Sequence, residues 1–225
     1  MKPWMVLGLL VLVAACGLTP PRSGGDILVI GDSVMAWNRS GGADIGSAIG
    51  TELNRDVVSR AALGARVRPG ALGAIGRLGI PSQLSPGRWN WVVMNGGAND
   101  LGFNCGCTPC DDEIDALMSK DASTGSIPDL ILTARSQGAQ VLWVGYYAAP
   151  QSESFKGCRP GLVELERRIA AFASARQGVF FIDSEDVFDP NNAALFASDK
   201  THPSPAGSGV IGRFIAREIN ARTPR

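Results

Sequence analysis

The chain has 225 residues, enough for one domain of good size with a short N-terminal appendage. Its 21 Lys and Arg residues balance its 21 Asp and Glu residues, and the basic residues are scattered rather than clustered. This charge pattern argues against nucleic acid as a partner and gives no support to a strongly anionic surface as one.

An apolar stretch near the N-terminus predicts an export signal. It runs from Trp4 to Ala15 after the single positive charge of Lys2, and it is too short to cross a bilayer. Small residues precede Cys16, as in the lipobox of bacterial lipoproteins. We therefore expect a lipoprotein signal peptide at 1–15 and lipidation at Cys16. An ordinary secretory signal followed by a chance cysteine is the competing interpretation.

The expected domain layout follows from this leader. Residues 16–25 are rich in Gly and Pro and predict a flexible tether. Residues 26–222 then form the folded domain. We expect a monomer that is exported and held in the cell envelope by its lipid anchor, on the periplasmic side of a bacterial membrane or in the outer membrane.

Five short apolar runs predict buried strands. Runs that are apolar on successive residues, such as Ile27–Ile30, fit a parallel sheet that is covered on both faces. The predicted strands are Asp26–Ile30, Arg55–Ser59, Trp91–Asn95, Gln140–Gly145 and Val179–Asp183.

Helical patterns separate the later strands. One helix is predicted at Asp111–Lys120, and a second at Pro128–Gln137 stops before Gly138, a good C-terminal signal. A last helix has Ser204 as a plausible N-cap and Pro205 in its first turn. Two longer stripes carry apolar residues at helical spacing. The stripes are Leu162, Leu165, Ile169 and Phe172, and Val210, Ile211, Phe214, Ile215 and Ile219.

The alternation of strands and helices predicts a doubly wound α/β fold. In such sheets, ligands bind beyond the carboxyl ends of the strands. The loops that follow the strands are therefore the place to look for a site.

Four cysteines remain in the predicted domain, namely Cys105, Cys107, Cys110 and Cys158. An even number in an exported chain predicts two disulfides, with three possible pairings. A bridge between Cys105 and Cys107 is geometrically poor, so one member of the cluster is expected to bond Cys158. Zinc is the competing interpretation, but Cys105 and Cys107 lack the usual two-residue gap between ligands, and the only histidine is expected to serve elsewhere.

Three loops at predicted strand ends carry residues that could do chemistry. Gly31–Ser33 follows the first strand, Gly97–Asp100 follows the third, and Asp199–His202 comes after the fifth. His202 is the only histidine of the chain, and a hydroxyl nucleophile needs a base such as imidazole near neutral pH. Residues that are far apart in sequence would thus meet at one edge of the sheet.

Together these blocks resemble the SGNH hydrolases, also called the GDSL esterase/lipase family. Gly31–Ser33 matches the family's first block, Gly97–Asp100 its third and Asp199–His202 its last. Gly64 is the best match to the glycine of the second block. The resemblance spans about Asp26 to Ala221 and implies a flavodoxin-like, five-stranded parallel sheet with helices on both faces.

The resemblance also implies a serine esterase mechanism. Ser33 would be the nucleophile, and His202 the base that takes its proton and then returns a proton to the leaving alcohol. Asp199 would orient the histidine ring. The family forms its oxyanion hole from the backbone N–H groups of Ser33 and Gly64 and the side-chain amide of Asn99.

Further residues near these loops are expected to shape the site. Asp32 is expected to hold its turn through backbone hydrogen bonds, and Asp100 to serve similarly. The disulfides are expected to pin a rim around the site, because both cysteine-bearing loops leave the carboxyl ends of neighbouring strands. Tyr146, Tyr147 and Phe155 are expected near the acyl or alcohol pocket, with simple filling of the core as an equally weighted interpretation.

The expected activity is hydrolysis of carboxylic esters of envelope polysaccharide or lipid, with no cofactor and no metal. Deacetylation of polysaccharide or peptidoglycan competes with lysophospholipase, short-chain lipase or thioesterase activity, and the lack of an apolar lid-like helix favours small acyl groups. Two further functions compete with hydrolysis, namely acyl transfer by the same triad and envelope binding by an inactive protein of this fold. A zinc hydrolase would need more histidines or grouped carboxylates than the chain offers.

Overall fold

The computed structural model of the protein describes residues 26–70 and 78–223, and in them five parallel strands form one sheet. The strands are β1 (Ile27–Ile30), β2 (Val57–Ser59), β3 (Trp91–Met94), β4 (Gln140–Val144) and β5 (Val179–Ile182). They pair in the order β2-β1-β3-β4-β5, the flavodoxin-like order of a doubly wound fold. The predicted fold class is confirmed, and each strand is one or two residues shorter than its predicted run.

Eight α-helices lie in the described residues. They are α1 (Ser33–Ala36), α2 (Ile45–Leu53), α3 (Ile80–Gln83), α4 (Ala98–Cys105), α5 (Asp111–Leu117), α6 (Ser126–Ser136), α7 (Arg159–Ser174) and α8 (Pro205–Arg222). Helix α5 stops three residues before the predicted end, because Met118 adopts an extended conformation with φ −154° and ψ 117°. Helix α6 begins at Ser126, earlier than predicted.

The sheet is covered on both faces by separate apolar clusters. On one face, alternate strand residues such as Leu28 and Met94 pack against helices α4 to α7. On the other face, Ile27 and Val93 pack against α2 and α8. Because the strands are buried on both faces, their sequences are apolar on successive residues rather than alternating.

Helix α8 is fixed close to the carboxyl edge of the sheet. The Ser204 side chain caps it by accepting a hydrogen bond from the Gly207 N–H at 3.1 Å, as the sequence predicts. Gly212 lies so close to α2 that an added Cβ would be 2.4 Å from the Ala48 Cβ. This close contact packs the middle of α8 against α2, and Asn38 holds the start of the helix by donating hydrogen bonds to the Pro203 carbonyl oxygen and the Ser208 hydroxyl, both at 3.0 Å.

The predicted signal peptide at 1–15, the lipidation site Cys16 and the tether at 16–25 lie outside the described residues. No helix within 26–70 and 78–223 is long and apolar enough to span a membrane.

Candidate active site

Ser33 lies where β1 turns sharply into α1. Gly31 makes the turn with φ +147°, and an added Cβ would lie 1.9 Å from the Asn95 Oδ1, so the position requires glycine. Asp32 is the N-cap of α1, and its Oδ1 accepts a hydrogen bond from the Val34 N–H at 2.9 Å. The turn therefore places Ser33 at the first position of a helix at the end of a buried strand.

Asp32 is the centre of a buried hydrogen-bond network. Asn95, just after β3, accepts from the Asp32 N–H and donates to its Oδ1, both at 3.0 Å. The Tyr146 hydroxyl donates to Asp32 Oδ2 at 2.5 Å and accepts from the Ala98 N–H at 3.2 Å. Burial raises the pKa of Asp32 and, together with the Asp32 charge, raises that of Tyr146. The expected structural role of Asp32 is confirmed.

Ser33, His202 and Asp199 form one hydrogen-bonded chain. The Ser33 Oγ lies 2.8 Å from His202 Nε2, and His202 Nδ1 lies 2.5 Å from Asp199 Oδ2. Burial acts to raise the pKa of Asp199, but hydrogen bonds from His202 and from the Thr201 N–H outweigh it, and the pKa is lowered. An ionised Asp199 beside Nδ1 leaves Nε2 facing the serine hydroxyl.

The loop that carries His202 is anchored through Thr201. Its carbonyl oxygen accepts from the Tyr147 hydroxyl at 2.8 Å, and its own hydroxyl lies 2.7 Å from that of Ser152. Asp199 Oδ1 accepts from the backbone N–H groups of both Thr201 and His202 at 3.0 Å. The Asp199–His202 segment is thus one tight turn, as the spacing of its two functional residues requires.

Trp37 covers one face of the His202 ring, a contact that the sequence pattern did not predict. The two ring centroids are 3.8 Å apart and the ring planes differ by 3°. Trp37 follows α1 directly, four residues after Ser33, so the serine begins this short helix and the indole lies just beyond its end. Its proximity to the Gly31–Ser33 block is the only sequence signal that could have indicated this role.

The expected oxyanion donors border one groove. Ser33, Gly64 and Asn99 line a groove of about 390 Å³, which we call the outer groove. Gly64 has φ +70°, and an added Cβ would meet no atom within 4 Å, so its backbone faces open space. The Asn99 amide is buried, and its Nδ2 donates one hydrogen bond to the Ala65 carbonyl oxygen at 3.0 Å.

Asp100 fixes the chain that follows Gly64. Its carboxylate accepts hydrogen bonds from the Val67 N–H at 3.0 Å and the Arg68 N–H at 2.7 Å. Burial raises the pKa of Asp100 to about 6, although these two hydrogen bonds act to lower it. The expectation that Asp100 supports the loop structure is confirmed.

A second space also borders Ser33. This inner cavity has a volume of about 80 Å³ and is lined by Ser33, Asn99 and His202 together with the aromatic residues Tyr146, Tyr147 and Phe155. The structure therefore places all three predicted aromatic residues at a pocket beside Ser33. Both tyrosines are also buried and bonded to the site's framework, so they pack in the core as well.

Two disulfides join the four cysteines of the domain. They pair Cys105 with Cys110 and Cys107 with Cys158. The expected bond from the cluster to Cys158 is confirmed, and the disulfides leave no free thiolate among these four residues for zinc. The second bond joins the segment just after α4 to the loop before α7. That loop contains Phe155, which lines the site.

The comparison with protein families decides the classification. Residues 29–210 match the model of the GDSL-like Lipase/Acylhydrolase family. The chain belongs to this family. It is therefore an enzyme of the SGNH/GDSL hydrolase type that acts on ester bonds, as the four sequence blocks predict. It matches none of the curated proteins.

Solved structures with this fold include several bacterial esterases. An aryl esterase from M. smegmatis is 17% identical with a TM-score of 0.64, and a carbohydrate acetylesterase from Sinorhizobium meliloti is 16% identical with a TM-score of 0.63. In both comparisons the match covers 88% of this chain and 99% of the other. An acetyl-xylooligosaccharide esterase from Geobacillus is 20% identical with a TM-score of 0.61, covering 91% and 98%. At these low sequence identities, the similarity to these structures shows a shared fold and nothing about the substrate.

Proposed function

We propose that this GDSL-family hydrolase is a serine esterase that cleaves carboxylic esters through Ser33, His202 and Asp199. The observation that carries the proposal is the continuous chain from Ser33 Oγ to His202 Nε2 at 2.8 Å and from His202 Nδ1 to Asp199 Oδ2 at 2.5 Å. A nucleophile, a base within hydrogen-bond reach and a group that orients the base are the parts that acyl transfer through serine requires.

The acylation step follows from these contacts. Ser33 Oγ attacks the ester carbonyl carbon while its proton passes to His202 Nε2, and the carbonyl oxygen becomes an oxyanion. When the tetrahedral intermediate collapses, the bond to the alcohol oxygen breaks and His202 gives that oxygen the proton. Asp199 stabilises the imidazolium between these two transfers. Water then repeats the sequence on the acyl-Ser33 ester and releases the acid.

The oxyanion is stabilised by the N–H donors that border the outer groove. In the proposal these are the backbone N–H groups of Ser33 and Gly64 and the Asn99 side chain. Asn99 uses one amide hydrogen on Ala65 O and keeps a second one for the oxyanion. Loss of one such donor costs about 10²–10³ in kcat in serine hydrolases.

The proposed substrates are esters of the cell envelope, with O-acetylated polysaccharide favoured over lipid. The support is the expected lipid anchor at Cys16, the small inner cavity beside Ser33, and the names of two structural neighbours, which are esterases of acetylated carbohydrates. The location of the protein, anchored at a bacterial membrane and facing the envelope, belongs to the same proposal.

The proposal is tested with p-nitrophenyl esters. Ser33→Ala and His202→Ala are each expected to lower kcat by about 10⁴-fold or more, because the members of a serine triad act as a unit and no second imidazole exists in the chain. Leu132→Ala, on the exposed side of α6, is the matched control and keeps wild-type kinetics. Equal activity of wild type and Ser33→Ala would refute the assignment of the nucleophile, whatever the substrate.

A further inference from the structure

Two spaces of different size meet at Ser33. The inner cavity and the outer groove share Ser33, Asn99 and His202 in their linings. The carbonyl carbon of an ester carries two substituents, the acyl chain and the alkoxy group, and they point away from each other across the attacked carbon. A substrate attacked by Ser33 thus has a separate space available for each substituent.

The outer groove suits the alcohol. Its lining includes the exposed apolar side chains of Leu63 and Phe103, which are 56% and 68% exposed, and the half-buried Trp37. A bulky alcohol such as a polymer unit can be held there while most of it stays in solvent, and it can leave directly once it has been protonated. Exposed aromatic and aliphatic side chains also offer contact area to the apolar face of a sugar ring.

The inner cavity suits the acyl group. Several residues of its wall, among them Tyr146, Tyr147 and Leu162, are less than 10% exposed, and each of the tyrosine hydroxyls is bonded to protein atoms. Most of the surface of this wall is apolar, and its charged member Arg159 is already paired with Glu166 and Glu185. The wall favours a short hydrocarbon over a polar or charged substituent.

Phe155 is the one apolar side chain that lines both spaces. Its ring lies against α4 at Gly102, where an added Cβ would be 3.2 Å from the Phe155 Cε1. Its carbonyl oxygen accepts from the Cys158 N–H at 3.1 Å, and the Cys107–Cys158 disulfide ties this loop to the end of α4. The ring is therefore held in place between cavity and groove.

We propose that Phe155 is the specificity-determining residue of this esterase, a partition that closes the inner cavity and restricts the acyl group to short chains. An apolar cavity of about 150 Å³ in another protein takes one benzene molecule, so the inner cavity, at about 80 Å³, takes an acyl chain of about two to four carbons. The inference rests on the proposed function, because it assumes attack by Ser33.

The test is an acyl-chain profile with one constant leaving group. We expect wild-type kcat/KM for p-nitrophenyl acetate, butyrate, hexanoate and octanoate to fall about tenfold or more beyond butyrate. Phe155→Ala joins cavity and groove, so the octanoate-to-acetate ratio of kcat/KM rises about tenfold. Phe155→Leu, which keeps apolar packing if the alanine variant folds poorly, gives an intermediate ratio. Thermal unfolding shows which variants are folded.

Phe103→Ala is the matched control, since Phe103 lines the outer groove and not the inner cavity. It is expected to change KM for all four esters by the same factor and to leave the octanoate-to-acetate ratio at its wild-type value. A wild-type enzyme that cleaves octanoate as fast as acetate overturns the proposal, as does an unchanged ratio in folded Phe155 variants. Failure of the proposed function is distinct, because wild type and Ser33→Ala would then be equally inactive on every ester.

Discussion

His202 is held from three directions, and each contact restricts a different freedom of the ring. Asp199 fixes the Nδ1 side, Ser33 lies at Nε2, and Trp37 lies flat against one ring face. Hydrogen bonds in the ring plane still permit rotation about the line that joins the two partners. The stacked indole prevents that rotation and also shields one face of the imidazole from water.

We therefore expect Trp37 to position the catalytic ring. Trp37→Leu should lower kcat about tenfold, since aromatic stacking is worth about 0.5–1.5 kcal/mol and loss of alignment adds to it. Trp37→Phe, which keeps a flat ring at the same place, should recover most of the loss. The measurement is kcat on p-nitrophenyl acetate with a thermal melt of each variant. The idea fails if Trp37→Leu keeps the wild-type kcat, or if Trp37→Phe is no better than Trp37→Leu.

The sequence predicts some of these residues and not others, for a physical reason. Ser33, Asp199 and His202 are identifiable because their chemistry needs particular residue types at particular strand ends. Trp37 has no such restriction, and its direction is set by the change to an extended backbone, with ψ 146°, directly after α1. The Tyr146 hydrogen bond to Asp32 joins residues 114 positions apart, which local pattern does not encode.

At the scale of elements, Glu166 links α7 to the end of β4. Its carboxylate accepts from the Tyr146 N–H and from Arg159, and Arg159 also pairs with Glu185. Burial raises the pKa of Glu166 to about 7, although the hydrogen bond from Tyr146 and the charge of Arg159 act to lower it. Desolvation therefore outweighs the ion pair, and the folded protein favours the protonated carboxyl.

This raised pKa predicts the sign of a pH effect on stability. The pKa of Glu166 is 4.5 in the unfolded chain and about 7 in the folded protein. The contribution of its protonated carboxyl to the free energy of unfolding is therefore fully present below pH 4.5 and is lost as the pH rises through about 7. Between about pH 5 and about pH 8, titration of Glu166 should lower the free energy of unfolding of the wild type by at most about 3 kcal/mol. Glu166→Gln removes this loss, so its thermal midpoint should fall less over the same pH range.

The measurement is the thermal midpoint of wild type and Glu166→Gln at both pH values. Asp100, whose pKa is raised from 3.8 to about 6, acts with the same sign and leaves a residual slope in the variant. Glu164→Gln is the matched control on the same helix, because its carboxylate is exposed and its pKa is lowered rather than raised. Identical slopes in wild type and Glu166→Gln would contradict the assignment.

Secondary structure is predictable where burial is complete and less so at the edges. The fully buried strands β1 and β3 match their apolar runs closely. Strand β2 is an edge strand with only half-buried residues, so it retains three residues of the predicted five. Helix α2 was not predicted, although the Asp44 cap and the spacing of Ile45 and Ile49 are consistent with it. The packing of α2 on α8 is a tertiary contact, which the local sequence pattern does not encode.

At the scale of the whole molecule, the strand order explains why the site forms where it does. The chain crosses from one side of β1 to the other between β2 and β3, and crevices form at the carboxyl edge where the strand order reverses. Ser33 follows β1 and Asn99 follows β3, so both lie at this crevice. The loop after β5 brings Asp199 and His202 to the same edge, and α8 holds that loop in place.

The proposed anchor at Cys16 would hold this crevice within reach of a membrane, and it can be tested apart from catalysis. One acyl chain gives marginal membrane binding, whereas the diacylated cysteine expected here gives stable anchoring.

In a bacterial host, esterase activity should therefore sediment with membranes and be released by detergent. Cys16→Ser should move the activity into the soluble fraction with unchanged kcat, because the proposed catalytic residues all lie within 33–202. Ser33→Ala should remain with the membranes but be inactive, which separates anchoring from catalysis. An unchanged distribution in Cys16→Ser would rule out the lipid anchor and leave the ordinary secretory signal as the explanation of the apolar leader.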